Sequence, residues 1–330
     1  MNWARVSFLI FLISALFIIK CSVVYFMLSP VVLPDEITYG NHYAEKNPHI
    51  WGTISDLSLY SQIPWNFGQT GALLANSFLT SLCSLPIFYL FRRHNTERNA
   101  ALLTAIVACS GILWVYALVN MTEALLFFMV LNAGLLIESY PILGTIPAAF
   151  VKTTGIAVFL STFRYGFYLA LAGGVVYMFL FGSAWVSNPG QNLVMCLLRN
   201  GWYILFASLG TAFFTGYRVL RGKGDKVDNF AMSYLAVQFA MVFGFMFVLP
   251  HVAFFGRYFD AAILLLMTTF RLPIHKDKWF LPSFAIILVL ALAYPLVTNF
   301  QAGVLDAGTM TFLTAVKQML YLSNPAFPQP

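Results

Sequence analysis

The sequence predicts an all-α polytopic membrane protein, and three observations predict it. Hydrophobic residues make up 60% of the chain, charged residues only 9%, and mean hydropathy is +0.80, whereas an ordinary soluble domain carries roughly 25% charged residues. Apolar runs recur along the 330 residues at about the twenty-residue length that crosses a ~30 Å hydrocarbon core as a helix. Short basic loops separate several of them, as expected of the cytoplasmic connections in a membrane bundle. The net charge of +6 arises largely from these loops and points to membrane orientation, not to nucleic acid. The chain reads as a single transmembrane domain over 1–330, with room for about nine or ten spans.

The first run, VSFLIFLISALFIIKCSVVYFMLSPVVL, is too long for a signal-peptide core, and no small-residue cleavage site closes it. It is retained as the first span. A polar, aromatic loop over 34–66 comes next and is long enough to hold interfacial helices. The second span covers about 67–91 and ends in RRHNTER, then spans near 100–118 and 122–138 are separated only by VNMTE. Two apolar stretches, 144–160 and 165–181, are broken by STFRY, and further spans lie near 200–217, 231–250, 254–270 and 281–300. The segment 301–330 is a C-terminal tail whose end is expected to fray. The four cysteines, Cys21, Cys83, Cys109 and Cys196, each sit alone in an apolar segment and read as small buried hydrophobes.

Charge orients the bundle. RRHNTER, the loop after Arg218 and the loop after Arg271 are basic, while the loop 34–66 holds four acids and a single lysine. The positive-inside rule therefore puts the N-terminus and the basic loops in the cytoplasm, and 34–66 outside with the turn at 120–123. This arrangement needs an odd number of crossings within 144–181. About nine crossings plus one re-entrant or interfacial element satisfy it.

Ionisable residues at membrane depth cost several kcal/mol unless paired, hydrated or snorkelled, and so become functional candidates. Lys20, Glu123, Glu138, Lys152, Arg164, Arg199, Arg257 and Asp260 form that set. Lys20 is expected to snorkel to an interface, Glu138 to cap the turn before Pro141, and Arg199 to anchor a helix start. Glu123 falls on the outer rim, where it either opens a helix as part of NMTE or shares a cavity with 34–66. Arg257, with Tyr258 beside it, either grips a phosphate or pairs with Asp260 three residues on. Arg164 in STFRY poses the same choice.

Asp35 and Glu36 in PDEITYGNHY stand at the mouth of the first span. One carboxylate beside a hydroxyl-bearing acceptor can act as general base if it comes within about 3 Å of the proton. A phosphate leaving group would need cations, which Arg164, Arg257 and Lys152 can supply. The rings of Tyr39, His42, Tyr43, Trp51, Tyr60 and Trp65 suit either sugar faces or the headgroup belt. The chain has no HExxH, P-loop or dinucleotide fingerprint, so those chemistries find no motif here.

These motifs, in this order and on these sides, resemble the GT-C superfamily of integral membrane glycosyltransferases. PDEITYGNHY resembles the family's acidic motif after the first helix. ERNAALLTAIVACSGILWVYALVNMTEALLFFMVLNAGLL is similar to its second acidic block, with Glu123 at the acid. GIAVFLSTFRYG resembles the glycine-rich stretch that ends on a base, with Arg164 at that position, and FFGRYFDA resembles a late Arg-Tyr pair. The resemblance spans roughly 5–270 and implies a GT-C-like helical bundle with its active site on the extracytoplasmic face. It implies an inverting transfer of sugar from a polyprenyl-phosphate donor to a lipid-linked glycan or surface polysaccharide. It further implies Asp35 as base, Glu36 and Glu123 shaping the acceptor or cation region, and Arg164, Arg257, Lys152 and Tyr258 around the donor phosphate. A divalent cation between Glu36 and Glu123 is left open, because hard cations take more oxygen ligands than two carboxylates. The alternative reading is a transporter or flippase of lipid-linked saccharides, since buried charges and broken helices suit transport as well.

Overall fold

The computed structural model describes residues 3–26, 68–117, 123–151, 155–181, 211–246 and 259–271. Twelve helices account for nearly all of them, and no strand occurs among the described residues. They are α1 (Trp3–Phe26), α2 (Gly68–Leu82), α3 (Ser84–Arg92), α4 (Glu97–Ala108), α5 (Gly111–Val115), α6 (Glu123–Leu136), α7 (Pro141–Val151), α8 (Ile156–Leu160), α9 (Gly166–Phe181), α10 (Ala212–Leu220), α11 (Lys226–Met246) and α12 (Asp260–Thr268). The fold is therefore all-α, as the composition predicts.

Two stretches, Trp3–Ser22 and Gly71–Arg92, are long and apolar enough to cross a membrane. The first turns most of its apolar surface outward, with Ile10, Phe11, Ile18 and Ile19 exposed. The second carries the junction of α2 and α3 at Cys83, whose backbone stays helical and keeps its hydrogen bonds to Leu79 and from Ile87 at 3.0 and 3.1 Å. Helix α12 is the inverse case, buried along its whole length from Asp260 to Thr268. An apolar helix with no exposed face belongs inside a bundle.

Where the sequence suggests one long span at 100–118, the structure has α4 and the five-residue α5, joined at Cys109 and Ser110. The apolar stretch 144–160 differs more. Helix α7 packs antiparallel on α6, bringing Gly144 against Leu136 and Ala133. The chain then reverses, because a Cβ on Gly155 would lie 1.8 Å from the carbonyl oxygen of Ala148. Residues seven apart in a continuous helix are separated by about 10 Å along the axis, so only a hairpin allows that contact. A second reversal comes after it, with a Cβ on Gly166 equally close to the carbonyl of Leu160. Ser233 anchors this lower turn by donating from Oγ to the Ser161 carbonyl at 2.9 Å. The 11 residues of α7 rise only about 16 Å, roughly half of a ~30 Å hydrocarbon core. Helices α7 and α8 thus enter and return on the same side before α9 sets off along α11.

The basic turns meet at one end. Arg5 of α1 forks onto Glu97 of α4, with Nε and Nη2 donating to the two carboxylate oxygens at 3.0 and 2.9 Å. Arg93 pairs with Glu138, and Lys226 donates to the Glu138 carbonyl at 3.3 Å. Glu138 therefore bridges to neighbouring helices and does not cap its own turn. Asn95 is buried and reaches the Phe270 carbonyl at 3.2 Å.

At the centre lies Asp228. Arg218 grips it in a two-pronged fork at 2.9 and 3.1 Å, and Arg271 donates to it at 2.5 Å. Arg218 also donates to the Thr269 carbonyl at 2.9 Å, tying α10 to the end of α12. Asp225 and Asp228 cap α11 reciprocally: Asp228 N–H donates to Asp225 Oδ1 at 2.7 Å, and Asp225 N–H to Asp228 Oδ2 at 3.3 Å. This is a capping box built from two aspartates. His94 Nε2 lies 2.5 Å from Asp225, joining the 92–98 turn to the same knot. Gly222, at φ +66°, makes the left-handed bend that returns the chain from α10 to α11.

Burial pushes the Asp225 carboxyl up, but hydrogen bonds from His94 and the Asp228 amide, with the charges of His94 and Arg271, hold it well below the usual carboxylate range. Because the folded value is depressed, the stabilisation from Asp225 is complete above the unfolded range of about pH 4. It is lost as pH falls below that range. Thermal melts of detergent-purified protein from pH 7 down to about pH 2 should show a decline that sets in below about pH 4 and that Asp225→Asn flattens. Asp228→Asn should lower stability by about 3 kcal/mol, because it leaves the Arg218 guanidinium without its carboxylate and Arg271 with only the longer pair to Asp225 at 3.4 Å. Chemical denaturation at neutral pH measures that loss, and an unchanged midpoint would remove Asp228 from the centre of the knot.

Candidate functional site

The opposite end of the bundle gathers the start of α6, the start of α12, the short α5 and the last turns of α1. Each puts a polar residue inside. Glu123 opens α6 and is 3% exposed; a carboxylate at a helix N-terminus is favoured by the free N–H groups there. Asp260 opens α12 and is just as deeply buried. Tyr116, just past α5, donates its hydroxyl to Asp260 Oδ2 at 2.7 Å and stacks edge-on against Phe127 of α6 at 5.0 Å. One ring therefore touches both acid-bearing helices. Ser77 of α2 donates to the Ala117 carbonyl at 3.3 Å and holds the other side of this segment.

Lys20 is the unexpected member. It does not snorkel. Its side chain is fully buried, with Nζ donating to Thr80 Oγ1 at 3.0 Å and lying 5.6 Å from the centroid of the Trp114 ring. A cation over an indole face is stabilised by the ring quadrupole, more so when water is excluded. Thr80 belongs to a polar stripe on α2 and α3: Asn76, Ser77, Thr80, Ser81 and Ser84 are all fully buried. Their spacing puts them on one helix face. Thr80 and Ser81 return their own protons to carbonyls one turn back, at 2.8 and 2.7 Å. Thr80 Oγ1 is thus left to accept from Lys20.

Helix α5 and the residue after it meet two buried charges. Trp114 faces the ammonium of Lys20, and Tyr116 faces the carboxylate of Asp260. The arrangement offers carboxylates and a cation in a low-dielectric setting, where each interaction is stronger than in water.

Of the residues singled out from sequence, Glu123 lies at this end. Arg164 does not join it. Arg164 is exposed in the turn between α8 and α9, its guanidinium 5.7 Å from the Tyr165 ring centroid. That turn sits beside Ser233, about two helical turns above the basic end of α11. Asp35, Glu36, Lys152, Arg257, Tyr258 and Arg199 lie outside the described residues. In the sequence Lys152 follows the last residue of α7, and Arg257 and Tyr258 immediately precede Phe259 and Asp260. Among the described residues no three His, Cys, Asp or Glu side chains gather in a way that could hold a metal ion.

Two participants escaped the sequence reading. Lys20 carried a signal, an ammonium within an apolar run, but its depth alone does not say whether it turns inward. Tyr116 carried none, being one of 16 tyrosines with nothing local to mark it. No family model, curated protein or solved structure matches the chain, so a functional reading must rest on its own residues.

Replacing Lys20 by methionine keeps the length of the side chain and removes the buried charge. A buried ammonium carries a desolvation cost that a methionine does not, so a lysine kept for function is kept against stability. Lys20→Met should therefore melt at or above the wild-type temperature while any activity housed at this end falls. A variant that melts well below wild type would instead make Lys20 a structural strut.

Proposed function

We propose that the chain is a multi-pass integral membrane glycosyltransferase of the GT-C kind, working on the extracytoplasmic face. It moves a sugar from a polyprenyl-phosphate donor to a lipid-linked glycan or surface polysaccharide. The observation that carries this reading is the convergence of helix starts and ends opposite the basic turns. Glu123 begins α6 there, α12 begins there directly after Arg257 and Tyr258, and α1 ends there before the segment bearing Asp35 and Glu36. Three of the four motifs behind the GT-C resemblance thus attach to one end.

The α7–α8 hairpin supports the topology. With one element entering and returning, 144–181 contributes a single crossing, and the basic turns share one side with the N-terminus, in a bundle of about nine crossings. Arg257 and Tyr258 are the better candidates for the donor phosphate. Arg164, some two turns from the basic end, is too far down the bundle to share a site with Glu123 without rearrangement. Lys152 directly follows Val151, the last residue of α7, in the sequence.

In the reaction Asp35 takes the proton from an acceptor hydroxyl. That oxygen forms the new bond to the anomeric carbon as the bond from carbon to phosphate oxygen breaks. Polyprenyl phosphate leaves with the electron pair, its charge held by Arg257 and Lys152. Displacement in one step inverts the anomeric configuration. Glu36 and Glu123 shape the acceptor side and any divalent cation it takes.

The same hairpin favours a second reading. Helical elements that stop at half depth are a common feature of transporters, where they bind substrate near the midplane, and a flippase of lipid-linked saccharides would use them so.

Reconstituted protein, a panel of polyprenyl-phosphate sugars and an envelope lipid extract separate the two. Wild type should transfer sugar, and Asp35→Asn should lose about 100-fold or more in rate while still binding donor. Donor translocation without transfer would select the flippase. Transfer undiminished in Asp35→Asn would remove Asp35 as the base.

A further inference from the structure

The basic end has an outer layer that the ion-pair knot does not use. Its described acids, Glu97, Glu138, Asp225 and Asp228, are each engaged by Arg5, Arg93, His94, Arg218 or Arg271. Arg92, Arg98, Arg221, Lys223 and Lys226 remain exposed around them. Arg92 and Lys226 donate to backbone carbonyls and Arg221 lies over Tyr217. None of the five is in a carboxylate ion pair among the described residues. The inner arginines hold the carboxylates in direct pairs, and the outer cations make no such pair among the described residues.

A second pattern lies at the same level. Trp3, Tyr89, Tyr140 and Tyr217 are all exposed. Trp3 opens α1 two residues before Arg5, and Tyr89 precedes Arg92 by one turn of α3. Tyr140 adjoins the Glu138 turn, and Tyr217 precedes Arg221 by one turn of α10. Four helix ends thus each carry an exposed aromatic beside the charged turn. Indole and phenol rings on a surface that is apolar on one side and charged on the other mark the headgroup level of a bilayer. A cation rim bordering an aromatic girdle meets lipid phosphates. Nucleic acid or an acidic protein would have no use for the girdle.

We propose that this rim is a binding surface for anionic phospholipid headgroups of the leaflet at the basic end, with Arg98, Arg221 and Lys223 as its principal contacts. Arg98 stands in the first turn of α4, and Arg221 and Lys223 flank Gly222 in the turn from α10 to α11. Headgroups held between them would brace the two turns that His94 and Asp225 already join. The proposal needs membrane insertion alone and does not depend on glycosyl transfer.

The test uses the full chain in nanodiscs made from phosphatidylcholine and phosphatidylglycerol at 7:3, with native mass spectrometry reading which lipids stay bound. Wild type should retain phosphatidylglycerol well above its share of the mixture. Arg98→Gln with Lys223→Gln should cut that preference by roughly fivefold per cation removed, the weight of one basic residue near an anionic surface. Arg164→Gln, an exposed cation outside the rim, should leave it unchanged. Should the double variant misfold, raising wild type from 0.1 to 1 M NaCl shortens the screening length from about 10 to 3 Å and should abolish the preference. Retention in proportion to the mixture, or a preference that survives both the substitutions and the salt, would overturn the proposal. Resistance of the chain to carbonate extraction, scored in parallel, would separate failure of the lipid site from failure of membrane insertion.

Discussion

Asp228 is the anion on which the bundle closes. It is almost inaccessible to solvent, and two guanidinium groups from different elements, Arg218 and Arg271, converge on it. A carboxylate in that setting is costly unless its lone pairs are filled, and here they are filled by the residues that end α10 and come after α12. The same side chain caps α11, so one group determines where that helix begins and which helix ends lie against it. Asp225 extends the knot to His94 and the turn between α3 and α4. Helices α3, α4, α10, α11 and α12 are thus held in register at their basic ends, and the apolar packing above them is constrained from below.

The other end is held differently. There the shared element is the short α5 with the two residues after it, which offer Trp114 to Lys20, Tyr116 to Asp260 and Phe127, and the Ala117 carbonyl to Ser77. A tyrosine meets the buried carboxylate, and a tryptophan meets the buried ammonium. The basic end is a lattice of direct charge pairs suited to fixing helix ends. At the opposite end, this carboxylate and this ammonium are each met by an aromatic ring of one short segment and not by each other's charge in a direct pair.

The helical class and the burden of charge in the basic turns are legible in the sequence, and Glu123 stands out there as an acid in an apolar setting. The hairpin at 141–160 is not, because its apolar residues look like any other run of membrane length. The reading did not reach the end of the bundle to which each candidate belongs. Arg164 and Glu123 fall in motifs of similar appearance, yet one lies exposed near Ser233 and the other buried at the far start of α6. Distances along the chain cannot report this, because the reversal at Gly155 is set by backbone contact with Ala148 and not by any turn motif. Nor did the reading foresee Lys20 buried: an ammonium in an apolar helix can turn to lipid or to a neighbour, and only Thr80 and Trp114 on adjoining helices decide between them.

By itself, then, the sequence determined the features that composition and residue order carry. Too few charges for water and long apolar runs are properties of single segments, and they suffice to specify helices. Tertiary structure alone decided which groups meet: Asp228 with two arginines, Tyr116 with Asp260, Lys20 with Trp114, and α7 with its own return. Each depends on the angle at which one helix face is presented to another. That angle is fixed by packing among residues far apart in the chain, and no local pattern encodes it.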